Sequence, residues 1–466
     1  MKIKRFIKTA FVFLTGNVLS KIISFLLLPI YTEKIDPAQF GNYDVAFTFI
    51  NLIAPIAFFQ IWDGMYRISF DYKNNDEKHG IISNCFAVSF IGLVIYAVLF
   101  PIINCFFKIQ YFVLVFIYGL LYAINYIYTY AARAFLSNKL FVFSGVLATL
   151  STAILNIILI VGFGFGIDAI YISSIFGLLI QQGLIEIKLG VLRYFKFKHI
   201  DKKIIKEMLC FSIPLCVTTI FYWFLNGFTK IIIQNQIGDY ANGLYAVANK
   251  FGGLITLIVS VVQFAWNETI YIMTSDSKET HGKNYSLCMD VMTNGVVIGL
   301  SVFILVSKLV FPILIDTSYN EALFLIPPTI LGVAANALAS FIATIFMAEK
   351  SNKLIMHSSI MVAILNVILG FTLTKYFGIY GAVTGLAVSF FALALIRYIK
   401  IVTSFGVTLN HKRMIINFIL LSISILTFYL SKTLVIDMVI LLLILLTLFF
   451  LFGKIIFKMF NSIFNK

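Results

Sequence analysis

Runs of about 20 apolar residues recur along nearly the whole chain, separated by short joints that hold the charges, prolines and glycines. Each run is long enough to cross a hydrocarbon layer of roughly 30 Å as a helix. Bounding the runs by charges, Pro or Gly predicts about fourteen transmembrane helices. They lie near 9–31, 42–66, 81–104, 111–133, 142–163, 167–190, 208–234, 243–267, 289–312, 322–347, 354–375, 379–400, 414–431 and 434–457. The fold class expected is an all-α polytopic membrane protein. The opening Met1–Lys8 is basic and precedes an apolar stretch. That stretch is full length, lacks a small-residue cleavage site and is followed by further spans, so it is expected to be the first span and not a removed signal.

Charge along the joints predicts orientation. With the N-terminus inside, the inner joints collect Arg67, Lys73, Lys78, Arg133, Lys139, the run Lys188 to Lys206, and later Lys350, Lys353, Arg397 and Lys412. The opposite joints hold Lys34, Lys108, Lys375 and Lys432. Counting both termini, roughly 27 Lys and Arg lie inside against about 4 outside, a bias that predicts both ends in the cytoplasm.

The pattern also repeats. Gly41-Asn42-Tyr43-Asp44-Val45-Ala46 and Gly243-Leu244-Tyr245-Ala246-Val247-Ala248 share G-x-Y-x-V-A. Ala153-Ile154-Leu155-Asn156 recurs as Ala363-Ile364-Leu365-Asn366, and Phe165-Gly166-Ile167 as Phe377-Gly378-Ile379. The three matches keep their order, at offsets of roughly 202 to 212 residues, as transporter repeats do. Six helices per repeat is an even number, so the expected arrangement is a parallel pseudo-two-fold about an axis along the membrane normal. The predicted lobes are 1–190 and 208–402, with 191–207 a basic cytoplasmic linker and 403–466 two additional helices. The linker, with Arg193, Lys196, Lys198, Lys202 and Lys203, could equally be a patch drawn to anionic lipid.

Composition narrows the function. Of 466 residues, 61% are hydrophobic and 12% charged, and the mean hydropathy is +0.99. A globular chain is about half apolar and a quarter charged, so no soluble domain is expected. The net charge of +15 gathers at helix ends and not on one aromatic-interleaved face, which argues against nucleic acid as a partner. Cys85, Cys105, Cys210, Cys216 and Cys288 show no CxxC spacing, so they predict neither zinc nor a disulfide framework. The five histidines fall at joints or helix ends, and no Walker A loop, HExxH or GxSxG is present, so an enzyme or a self-contained ATP-driven pump is not expected.

Charges within spans are the candidate functional groups, because an ionised side chain at a helix centre costs roughly 2.5 to 3.5 kcal/mol by insertion scales. Lys21 is the clearest, near the middle of the first span with Asn17 and Ser24 on its face and Ser20 beside it. Asn226, Lys230 and Gln234 form a similar stripe in the seventh span. Tyr245, Asn249, Thr256, Ser260, Gln263 and Asn267 form another in the eighth, with Lys250 able to reach round. Hydrogen bonding between helices would explain the neutral members equally well. Lys308 and Arg133 sit near span ends and can snorkel. The acids Asp44, Asp63, Glu186, Glu268 and Glu349 lie towards the edges, and Asp63 with Arg67 is expected to form a local i, i+4 ion pair. No carboxylate pair sits mid-membrane, so the interior is biased towards binding an anion such as a phosphate or diphosphate.

Several segments carry a family resemblance. They are Leu14-Thr15-Gly16-Asn17 through Lys21 to Pro29-Ile30-Tyr31-Thr32, then Phe40-Gly41-Asn42-Tyr43, Phe211-Ser212-Ile213-Pro214-Leu215, Gly243-Leu244-Tyr245, and Leu365-Asn366 with Phe377-Gly378-Ile379-Tyr380-Gly381-Ala382. In these, and in its six-helix duplication with two extra helices, the chain resembles the Wzx-type polysaccharide flippases of the multidrug/oligosaccharidyl-lipid/polysaccharide (MOP) exporter superfamily. The resemblance implies two lobes around a cavity that opens alternately to either side. It implies export of undecaprenyl-diphosphate-linked oligosaccharide across the bacterial cytoplasmic (inner) membrane for O-antigen or capsule assembly. Lys21, Lys230 and Lys250 would then contact diphosphate or acidic sugar, with Asn17, Asn226, Asn249 and Gln263 lining the cavity. Membrane lipids and polysaccharide polymerase or assembly proteins would be its partners. No cofactor is implied, and coupling to a proton or sodium gradient is compatible with it. Two rivals stay open: a drug/cation antiporter of the same superfamily, expected to carry an acid where Lys21 stands, and a membrane glycan polymerase or ligase, expected to lack the duplication and to have a large outer loop.

Overall fold

The structure is a computed structural model that describes residues 16 and 18–447 apart from 73, 194, 274–277 and 350, with backbone alone at some further helical positions, Asn226 among them. The described residues form helices and no strand. They divide into two compact units, Met1–Ala246 and Val247–Lys466. The first holds α1 (18–26), α2 (Leu28–Lys34), α3 (Pro37–Ala57), α4 (Ile61–Ile68), α5 (Asn75–Phe107), α6 (Phe112–Ala134), α7 (Asn138–Ile157), α8 (Asp168–Leu189), α9 (Lys202–Asn226), α10 (Phe228–Gln236) and the start of α11 (Asp239–Met273). The second holds the rest of α11, then α12 (Lys278–Leu314), α13 (Ile326–Ala348), α14 (Asn352–Phe405), α15 (His411–Leu430) and α16 (Leu434–Thr447).

Ten helices among the described residues are long and apolar enough to cross a membrane, eleven if the bent pair α3 and α4 is one span. The expectation of about fourteen is not reached by that measure. The first and last expected spans run into residues outside the described set. The expected spans 354–375 and 379–400 form one run, α14, broken at Gly378. Its backbone there (φ 58°, ψ −141°) is a conformation open in practice to glycine alone, and the returning arm then packs Gly381 against the Leu373 carbonyl. Pro55 and a left-handed pair, Phe59 and Gln60, likewise bend α3 from α4 by 56°.

Outward faces are apolar, as a bilayer demands. α5 exposes Phe90, Ile91, Val94 and Val98 while burying Cys85, Val88, Tyr96 and Phe100. The core of the first unit joins Ile61 and Met65 of α4, Ile81 and Cys85 of α5, Ile127 of α6 and Met208 of α9. Gly64 lets α4 approach α9 closely enough for its N–H to meet Ser212 Oγ at 2.9 Å. The basic segment after α8 is tied down: the Glu186 carboxylate accepts from the Leu192 and Arg193 N–H groups, and Asn84 of α5 bonds both the His199 carbonyl and the Asp201 N–H. In the second unit, Trp266, Tyr285, Phe341 and Ile401 pack together.

Candidate functional site

The two G-x-Y-x-V-A segments lie against each other. A methyl on Gly243 would clash with the Pro37 carbonyl, and one on Gly41 would meet the Asp239 oxygen and, at 2.5 Å, the Gly243 nitrogen. The first turns of α3 and α11 therefore touch backbone to backbone. Polar side chains stitch the junction: Asn242 Nδ2 donates to the Gly41 carbonyl (3.1 Å), and Asn42 Nδ2 and Gln234 Nε2 both donate to Asp239 (3.2 and 2.7 Å). The glycines are legible as a repeat in the chain; that Gly41 and Gly243 meet is a tertiary fact.

One helical turn further along α3, Asp44 Oδ2 lies 2.7 Å from Lys230 Nζ of α10, with both side chains 17% exposed. The contact is a charge pairing and not an aligned hydrogen bond. Beside it, buried Tyr118 and Tyr171 pack near Tyr43, and Trp223 Nε1 donates to the Thr48 carbonyl at 2.8 Å. Lys230 thus carries its own counter-ion, whereas Lys21 on α1 is exposed and makes no hydrogen bond or ion pair among the described residues. Asn17 and the Asn226 side chain lie outside the described set.

The expected Asp63–Arg67 pair does not form. Arg67 turns to Asp71 (3.0 Å) on the exposed side, and Asp63 takes hydrogen bonds from Gln60 Nε2 (2.8 Å) and Tyr130. The bend between α3 and α4 puts Gln60 within reach of Asp63, so backbone geometry overrides the i, i+4 rule. Asp63 belongs to a polar, aromatic stripe that sequence reading missed. On α6, Tyr118, Tyr122, Tyr126 and Tyr130 recur every fourth residue. Opposite them stand Phe47 and Asn51 of α3 and Trp62 and Tyr66 of α4: Trp62 stacks on Tyr126 (4.7 Å, 14°), and Tyr66 meets Tyr130 edge-on. The Tyr122 hydroxyl contacts Asn51 Oδ1 (3.2 Å) and the Tyr126 hydroxyl (3.1 Å). Arg133 caps the stripe, over the rings of Tyr66 and Tyr130. Tyrosine spacing of four on an apolar helix was the available signal.

In the second unit, Asn249 and Lys250 are half-buried on α11 and Gln263 Nε2 donates to Thr344 Oγ1 of α13 at 2.9 Å. Thr256 and Ser260 bond back to their own helix. Lys308, expected to snorkel, instead reaches Asp437 Oδ2 (3.1 Å) and Ser431. Arg397 is buried and donates to Ser358, Ser359 and the Ala339 carbonyl. A cavity of 340 Å³ beside α11, α12 and α13 is lined by apolar residues, among them Ile255, Val262, Val296, Phe303 and Phe341. No cluster of His, Cys, Asp and Glu able to hold a metal occurs among the described residues.

Comparison with known proteins adds a family and a fold. The model of a family described as "Polysaccharide biosynthesis protein" matches residues 6–267, more than half of the chain. No curated protein sequence matches. Among solved structures, the lipid II flippase MurJ in an inward closed conformation is similar at a TM-score of 0.68 and 13% identity, over 97% of this chain and 100% of that one. A multidrug resistance MATE family transporter of the MOP superfamily, inward-facing, is similar at a TM-score of 0.67 and 13% identity, over 89% of this chain and 96% of that one. At such identity the likeness speaks for the fold alone.

Proposed function

This chain belongs to the polysaccharide biosynthesis protein family, and from that premise we propose that it is a flippase that carries an undecaprenyl-diphosphate-linked oligosaccharide across the bacterial cytoplasmic membrane. The observation that carries the reading is Lys21 on α1, exposed and without a hydrogen bond or ion pair among the described residues, in a stretch whose hydropathy predicts a span. A cation in hydrocarbon is costly, so an unpaired one at mid-span is met by water or by an anion. A compact ammonium suits a diphosphate, which it meets as a point charge without bidentate geometry. Lys230 differs: Asp44 already neutralises it, and an incoming anion would have to compete with that carboxylate. Asn17 and Asn226 in the N-terminal half, and Lys250, Asn249 and Gln263 in the C-terminal half, are proposed as further contacts to the cargo.

In this proposal the lobes are 1–190 and 208–402, joined by the basic segment 191–207 on the cytoplasmic side, with both termini cytoplasmic and 403–466 an appendage. The head group crosses through the polar interior while the lipid tail stays in the bilayer, and opening alternates between sides. The protein transforms no covalent bond, its product passes to polysaccharide polymerase and assembly proteins, and the O-antigen or capsule is the end use. A lipid II flippase stands among its structural neighbours, which supports a flippase reading.

The test is complementation of surface-glycan display in a flippase-deficient strain, normalised to protein level. Lys21→Ala should reduce display with membrane insertion intact, and Lys21→Arg should retain part of it. Normal display per folded Lys21→Ala molecule would remove the proposed role.

A further inference from the structure

The stripe between α3, α4 and α6 has chemistry that a diphosphate site does not need. Its rings are tyrosine and tryptophan with Phe47 beside them, its polar groups are neutral hydroxyls and amides, and its charges, Asp63 and Arg133, stand at one end. Tyr122, Tyr126, Tyr130, Asn51 and Gln60 are each partly exposed although they lie at the depth of apolar spans. A hydroxyl or amide gains nothing by facing lipid tails, so this residual exposure opens to a wet interior.

Donors and acceptors alternate along the stripe: Thr219 Oγ1 donates to Gln60 Oε1 (2.9 Å), and Gln60 Nε2 donates to Asp63. Gln60 is held in the left-handed region (φ 49°, ψ 34°), a conformation that costs a non-glycine residue of order 1 kcal/mol or more and is kept where the surroundings require it. Its amide bridges α9 to α4 as a consequence.

A pyranose has an apolar C–H face and a rim of hydroxyls that both give and take hydrogen bonds. Flat amphipathic rings flanked by amides are complementary to that combination, since Tyr and Trp offer an apolar face with a polar edge. We infer that the stripe formed by Tyr122, Tyr126, Tyr130, Asn51 and Gln60 is a sugar-binding surface for neutral or N-acetylated pyranose units. The inference rests on the flippase reading for its cargo and deepens it: recognition divides between a cation for the diphosphate and this stripe for the glycan.

Trp62, stacked on Tyr126, is a built-in reporter. The probes are the lipid-linked glycan extracted from the source cell, the glycan released from it by mild acid, and bare undecaprenyl diphosphate, each titrated into the full chain in nanodiscs. Glycan-bearing lipid and released glycan should change tryptophan emission, bare lipid should not, and the change should vanish in Trp62→Phe. Tyr126→Leu and Asn51→Ala should weaken glycan binding by about tenfold each. Tyr126→Phe, which keeps the stacked ring, should weaken it less, and separates recognition from folding. Unchanged glycan affinity in folded Asn51→Ala and Tyr126→Leu would overturn the inference, as would equal binding of bare and glycan-bearing lipid; transport in proteoliposomes would then still stand by itself. Sugar binding as described with no transport of the lipid-linked glycan would instead defeat the flippase reading and leave the sugar surface in place.

Discussion

Replacing Gly243 with alanine adds a methyl where two helices leave no room. Its carbon would lie 2.6 Å from the Pro37 carbonyl carbon and 3.0 Å from Pro37 Cα, with the carbonyl oxygen nearer still, whereas ordinary contact begins at 3.4 Å. Relief requires the starts of α3 and α11 to part by about 1 Å, in the range where overpacking costs roughly 1–3 kcal/mol. Parting them also stretches the Asn242 bond to the Gly41 carbonyl and the Asn42 bond to Asp239. Each such bond is worth about 1 kcal/mol net, more to a carboxylate. Against this stands the helix preference of alanine over glycine, about 0.8–1.0 kcal/mol. The expected balance is a loss of about 2 kcal/mol or more. Gly253 lies on the same helix with nothing within 4 Å of its added carbon, so Gly253→Ala should be neutral or stabilising by up to about 1 kcal/mol. Thermal unfolding of both variants in nanodiscs compares one substitution in one helix with opposite expected signs. Equal stability of the two would refute the close packing of the paired glycines.

Lys230→Ala should destabilise the fold by about 2 kcal/mol by leaving Asp44 unpaired, and the double variant with Asp44→Ala should recover much of it; a double-mutant cycle with coupling under about 0.5 kcal/mol would count against the pair. Arg67→Ala should change stability by under about 0.5 kcal/mol, because its partner Asp71 is as exposed as itself, whereas Asp63→Ala should cost more by releasing Gln60 and Tyr130; calorimetry of both variants checks the repartnering. Lys308→Ala should cost about 3 kcal/mol by stranding the buried Asp437, and Lys308→Ala with Asp437→Asn should be milder, read by the same unfolding assay. Arg397→Lys should destabilise by about 1–2 kcal/mol, since an ammonium cannot span Ser358, Ser359 and the Ala339 carbonyl together.

By itself the sequence determined that the chain lives in a membrane and roughly where it crosses, because hydropathy is a sum over neighbouring residues and needs no partner to be read. The break near Gly378 and the paired motifs were legible too, since glycine marks places where only its backbone freedom or lack of a side chain will serve. Lys21 could be singled out by the cost of a lone charge at mid-span. What the tertiary structure decided was pairing. Asp44 read as an edge acid until α10 brought Lys230 to it, and Asp63 read as the mate of Arg67 until the bend after Ala57 gave it Gln60 and Tyr130. The tyrosines of α6 carry no signal in the sequence beyond their spacing of four, and become a lined face only where α3 and α4 set Asn51 and Trp62 opposite them. A charge or hydroxyl takes its energy from the group it faces within a few ångströms, and residues far apart in the chain come to face each other only once the helices have packed.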